Sequence, residues 1–183
     1  MKLTKLIIFT LTAVLVLTLG NGVARAASAQ ALDADADAAL NKLYEHHAAA
    51  KMIADKSVAI MVFPNIVKAG FVVGAQYGEG VLRKEVKSVG YCSIFAGSYG
   101  LQAGAQSFGY ALFLMTNSAV KYLDKSGGWE LGVGPSIVVV DAGVAKTLTT
   151  TTLKSDVYAF TFDQKGLMAG LGLQGSKITK LNK

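Results

Sequence analysis

The sequence predicts an α+β fold: a glycine-rich, curved, mainly antiparallel β-sheet or barrel-like core, preceded by an amphipathic helix and interrupted by one short internal helix. Two observations carry this. From Phe71 to Lys84 bulky residues (Phe71, Val73, Tyr77, Val81) alternate with Gly74, Gln76, Gly78 and Gly80. Successive side chains of a strand point to opposite faces, so one face is bulky and the other nearly bare. From Ala31 to Lys56 there is neither Gly nor Pro, and Leu40, Leu43, His47, Ala50 and Ala54 recur at helical spacing.

The chain opens with Lys2 and Lys5, then an uncharged run from Leu6 to Leu19, then Gly20, Asn21 and Gly22. Small residues flank two exits, Ala24-Arg25-Ala26 before Ala27 and Ala27-Ser28-Ala29 before Gln30. This is the order of a cleavable secretory leader. A spanning helix needs about 20 apolar residues, more than this run supplies. The reading is a leader over residues 1–26, with cleavage as late as residue 29, then one domain over 31–183, placed in the periplasm, soluble or peripheral on a membrane.

The leader would remove Lys2, Lys5 and Arg25, so the net charge falls from +6 to +3. That excess is too small for a nucleic-acid footprint, which needs a strongly basic, clustered surface. Cys92 is the single cysteine, so no internal disulfide can form. Its neighbours Ile94 and Phe95 mark a buried free thiol.

In the helix, Asp33, Asp35 and Asp37 crowd the start, where carboxylates favour the positive end of the dipole. Val58 to Phe63 reads as a buried strand stopped by Pro64. Bare faces recur at Gly100, Gln102, Gly104 and Gln106, and at Gly170, Gly172 and Gln174. Glycine weakens an isolated strand, so its repetition calls for close backbone approach, a bend or a bulge. The Gly/Gln faces are therefore expected to lie against another layer or around a narrow interior. Asn117 to Asp124 is the short helix, Ser136 to Val140 a strand behind Gly134-Pro135, and Tyr158 to Phe162 another. Thr147 to Thr152 suits an edge strand or an exposed connection.

No catalytic constellation emerges. His46 and His47 are the only histidines, adjacent on a helix and about 100° apart rather than four residues apart as a metal pair requires. Gly170-Leu171-Gly172-Leu173-Gln174-Gly175 matches the dinucleotide fingerprint in letters, but too little chain follows for the helix that must cradle a pyrophosphate. The expectation is no enzyme, no metal and no cofactor.

The ordered set Val62-Phe63-Pro64, Lys68-Ala69-Gly70-Phe71, Gly74, Tyr77-Gly78, Gly80-Val81-Leu82, Gly97-Ser98, Gly100, Gln102, Gly104, Gly134-Pro135 and Gly166 through Gly175 resembles the SYLF family. The resemblance spans roughly Lys51 to Ile178. SYLF domains are lipid-binding modules related to the yeast Ysc-type actin-binding domain. The resemblance implies lipid binding, phosphoinositides in eukaryotic members, and actin bundling in some fungal ones. For an exported chain, it translates into anionic phospholipid or another envelope lipid. The candidate lipid-binding residues are Lys68, Arg83, Lys84 and Lys87, basic side chains placed at strand ends. Lysines and arginines near an anionic membrane contribute about 1 kcal/mol each. Two other readings stand beside this one: a structural or protein-docking scaffold of the cell envelope, with a protein partner or homo-oligomer, and a small outer-membrane barrel. The barrel accommodates neither the amphipathic helix nor the fully apolar strand at Val58 to Phe63.

Overall fold

The computed structural model describes residues 27–124, 128–149, 151–166 and 175–183, with the side chains of 98–103 and 142 excepted. The leader and the Gly170–Gln174 strand lie outside the described residues. Helices α1 (Ala29–His46) and α2 (Ala48–Ala54) lead into two long strands, β1 (Ala59–Lys84) and β2 (Lys87–Leu114), which form one antiparallel hairpin. Then come α3 (Asn117–Tyr122), β3 (Trp129–Glu130), β4 (Ile137–Val139), α4 (Ala142–Thr147), β5 (Val157–Gly166) and β6 (Lys177–Leu181).

Strand β2 organises the sheet. It has 28 residues, and β1 occupies one side along almost its whole length. On the other side β5 pairs with residues 106–114 and β6 with residues 91–95. Strand β3 extends the β6 end, and β4 pairs in parallel with β5. The result is a curled, half-barrel sheet with helices, the α+β class expected.

Glycine on one face is what lets the hairpin curl. A Cβ on Gly80 would meet Phe63 Cδ1 and the Val62 carbonyl, each at 2.5 Å, and one on Gly78 would meet Ile66 Cγ1 at 2.8 Å. Residues 78–80 thus pack directly on residues 62–66 of the same strand. The bend lies between them. A Cβ on Gly70 would sit 2.4 Å from Gly74 Cα, and the pairing to β2 shifts between Phe71 and Val73. Val72 stands there at φ 65°, a strained conformation for a β-branched residue.

Several local expectations are corrected. Pro64 does not end the strand: the register shifts between Phe63 and Ile66, and the proline, which cannot donate to a ladder, sits in that bulge. The expected single helix breaks at His47 (φ −135°, ψ 90°), whose ring packs edge-on against Phe160. There are two short internal helices among the described residues, not one, because Asp141 caps α4 by accepting from Gly143 N and Val144 N at 2.8 Å. The aspartates of α1 are not in its first turn either; Ser28 provides the cap. Asp33 instead accepts from Ser88 Oγ at 2.6 Å and Tyr91 Oη at 3.1 Å, tying the helix to the hairpin.

The two sheet faces hold separate cores. Met61, Phe63, Ile66, Leu82, Cys92, Ile94, Tyr110 and Trp129 fill one. On the other, Leu32, Ala36, Leu40 and Leu43 of α1 and Ile53 of α2 cover Val62, Val81, Phe113 and Phe160. Cys92 is buried, and burial pushes its thiol up to about 11. A thiol held protonated and shielded is a poor nucleophile. The expected outcome with a disulfide reagent at pH 8 is no reaction in the native protein and one equivalent after denaturation.

Candidate functional site

Among the described residues, the helices cover the β1 face at its two ends. Alternation along β1, shifted by the Pro64 bulge, places Val67, Ala69, Phe71, Val73, Ala75 and Tyr77 on the same side as the helix-covered Val62 and Val81. Between those covered ends the face is open. Phe71 is 79% exposed, Val73 64%, and Val67 and Tyr77 49% each. Phe95, directly opposite Tyr77 on β2, is 53% exposed. Isolated exposed apolar residues are ordinary, but a contiguous group marks a binding surface.

The register puts a lysine at each border of this surface, with Glu130 opposite Lys177 on the same side. Residues directly opposite on paired strands point to the same side. Tyr77 faces Phe95, and Phe95 faces Lys177 of β6; Val67 faces Ser107, and Ser107 faces Lys165 of β5. Both lysines are exposed. Lys165 has Asp163 at 3.8 Å, a distance that leaves its head largely in solvent. An apolar, aromatic-bearing centre between two lysines can enter a membrane interface, with the lysine stems lying along it and the ammonium groups at the headgroups.

A groove adjoins the surface. Its volume is about 640 Å³, and Pro64, Val67, Ala69, Ala75, Tyr77 and Leu32 provide most of its apolar wall. Small-molecule sites run to about 300–1,000 Å³ and are mostly apolar, so this groove is of ligand-binding size. Val67 and Tyr77 belong to both features.

The four basic residues expected to form the site do not form one face. Arg83 is 6% exposed. It pairs with Asp37 Oδ1 at 2.8 Å and donates to the Asp33 carbonyl at 2.9 Å and the Val86 carbonyl at 3.3 Å. It is the clamp that holds α1 on the hairpin. Lys68 is 7% exposed and engaged. Lys84 and Lys87 are exposed, paired with each other at the hairpin tip, about a dozen residues along the strand from Phe71. The physical reason is the strand period: neighbours such as Arg83 and Lys84 must point to opposite sides. Arg83→Met is expected to lower unfolding free energy by about 2 kcal/mol, the loss of one set of charged hydrogen bonds. Asp37 stays largely in solvent and adds no orphan-charge penalty. Urea denaturation checks it.

A folded sheet with an open apolar surface bordered by lysines defines a domain of the binding type. Residues 95–183 match the family model described as Ysc84: Las17-binding protein actin regulator, so this stretch of the chain is similar to Ysc84-type, or SYLF, domains. The match takes in Phe95, Lys165 and Lys177, most of β2, and every element after it. No curated protein matches the chain.

Proposed function

We propose that the chain is an exported, non-catalytic lipid-binding protein that works on a membrane surface in the cell envelope, with anionic phospholipid or another envelope lipid as its ligand. The observation that carries this is the open apolar surface from Val67 to Tyr77 and Phe95, bordered by Lys165 and Lys177. Lipid contact belongs to that surface in this reading, and not to the basic set around Arg83. Nor does α1 serve as a membrane helix, because its apolar side is spent on the sheet. The family description names Las17 binding and actin regulation; a secretory leader would carry this chain away from actin, which leaves the lipid-facing part of the family's character.

The test is co-sedimentation of the protein lacking residues 1–26 with phosphatidylcholine vesicles, with and without phosphatidylglycerol. Pelleting that rises with the anionic fraction and falls with salt supports the reading. Equal, negligible pelleting in both overturns it. A stable complex with an envelope protein in the absence of lipid would favour the scaffold reading instead.

A further inference from the structure

Two exits from the leader are compatible with the sequence, before Ala27 and before Gln30. The surroundings of Ala27 separate them. Both backbone polar groups of Ala27 are bound: its carbonyl accepts from Lys183 Nζ, and its N–H donates to the Glu79 carboxylate. Glu79 is well shielded, its side chain 12% exposed. It accepts from Tyr77 Oη at 3.0 Å and pairs with Lys183 Nζ at 2.9 Å. Burial works to raise this carboxyl, but the bonds from Lys183, Tyr77 and Ala27 outweigh it, and the group is held below its ordinary range. One residue on, Ser28 Oγ accepts from Ala31 N at 3.2 Å and the Ser28 carbonyl from Leu32 N at 3.0 Å, starting α1.

We propose that Glu79 is a receptor for the chain's processed N-terminus, and that processing falls between Ala26 and Ala27. In that step an envelope endopeptidase adds water across the Ala26–Ala27 amide. The hydroxyl goes to the Ala26 carbonyl carbon and the proton to the Ala27 nitrogen, which takes up a second proton from solvent and becomes an ammonium. The ammonium then occupies the place of the present N–H, against the Glu79 carboxylate that Lys183 also pairs with, and Asp35 lines the same groove. Cleavage before Gln30 would instead discard the Ser28 cap and both Ala27 contacts. It would leave Glu79 without one of its donors. Held in this way, the new terminus closes the end of the apolar groove nearest α1, since Ala27 and Glu79 both line it. The inference rests on the exported, leader-cleaved reading above.

Intact mass of the protein recovered from the periplasm of an exporting host tests it. A chain beginning at Ala27 is expected. A chain beginning at Gln30 overturns this inference and leaves export standing, whereas one that retains Met1 overturns the export reading and this inference with it. A second measurement addresses the contact itself. Limited reaction with an amine-reactive ester at pH 7 should modify the Ala27 amine about tenfold more slowly in the folded wild type than in the unfolded chain, one pKa unit of protection. Glu79→Gln should abolish most of that protection. Equal protection in wild type and Glu79→Gln would refute the pairing.

Discussion

Replacing Phe71 and Val73 together by serine is expected to weaken binding to anionic vesicles by about a hundredfold. Each side chain, carried from water into an apolar phase, contributes about 1.5–3 kcal/mol, and neither enters completely. About 3 kcal/mol for the pair corresponds to roughly two decades in affinity. The same change should leave the fold almost untouched, because both residues are already mostly in solvent at 79% and 64% exposure; exposed substitutions shift stability by about 0.5 kcal/mol or less. Val86→Ser is the matched control. It removes an even more exposed apolar side chain, but at the hairpin tip, away from the bend. Its vesicle affinity should stay at the wild-type level. A vesicle titration for all three proteins, with thermal unfolding alongside, reads both quantities. If Phe71→Ser/Val73→Ser binds like wild type, the surface is not the lipid contact.

The second large effect concerns the curl itself. Gly80→Ala is expected to destabilise the protein by about 3 kcal/mol or more, the upper range for overpacking a filled core. Phe63 could swing away from a new methyl group, but the Val62 carbonyl 2.5 Å from it is backbone and part of the same strand. Moving that carbonyl means opening the fold of β1. Gly97→Ala is the informative comparison, since this glycine lies exposed on the paired strand β2 and a Cβ there meets nothing within 4 Å. It should be neutral or slightly stabilising, as alanine loses less backbone entropy than glycine on folding. Urea midpoints for the two variants distinguish tight approach from a general dislike of side chains on these strands. Equal losses in both would remove the close-approach explanation.

These two cases also show what could be read from residues alone. The alternation of bulky and bare positions from Phe71 to Lys84 was visible, as was the conclusion that the glycine side must be packed. Gly78 and Gly80 fulfil it. What alternation cannot show is whether the bulky side has a cover. That depends on α1 and α2 ending where they do, with Val62 and Val81 beneath them and Phe71 between. The basic set does not share one face for a reason the same period contains: Arg83 and Lys84 are adjacent, so one had to face inwards. Lys165 and Lys177 were missed because only the pairing of β5 and β6 with β2 brings them to Val67 and Phe95. No local signal carries a pairing across that much chain. Asp33 and Asp37 looked like dipole partners by position in the helix. Their use as ties to Ser88, Tyr91 and Arg83 needed the hairpin tip to be beside them.

A single fluorescent label decides the claim that the bend of β1 enters the membrane. Because Cys92 is buried and its thiol protonated, a cysteine placed at Phe71 or at Val86 takes an environment-sensitive dye selectively. On adding anionic vesicles, the dye at position 71 should shift to the blue and become accessible to quenchers buried in the bilayer, while the dye at position 86 should keep its aqueous spectrum. An aqueous spectrum at 71 with the protein fully bound, or burial at 86 in its place, would contradict that claim.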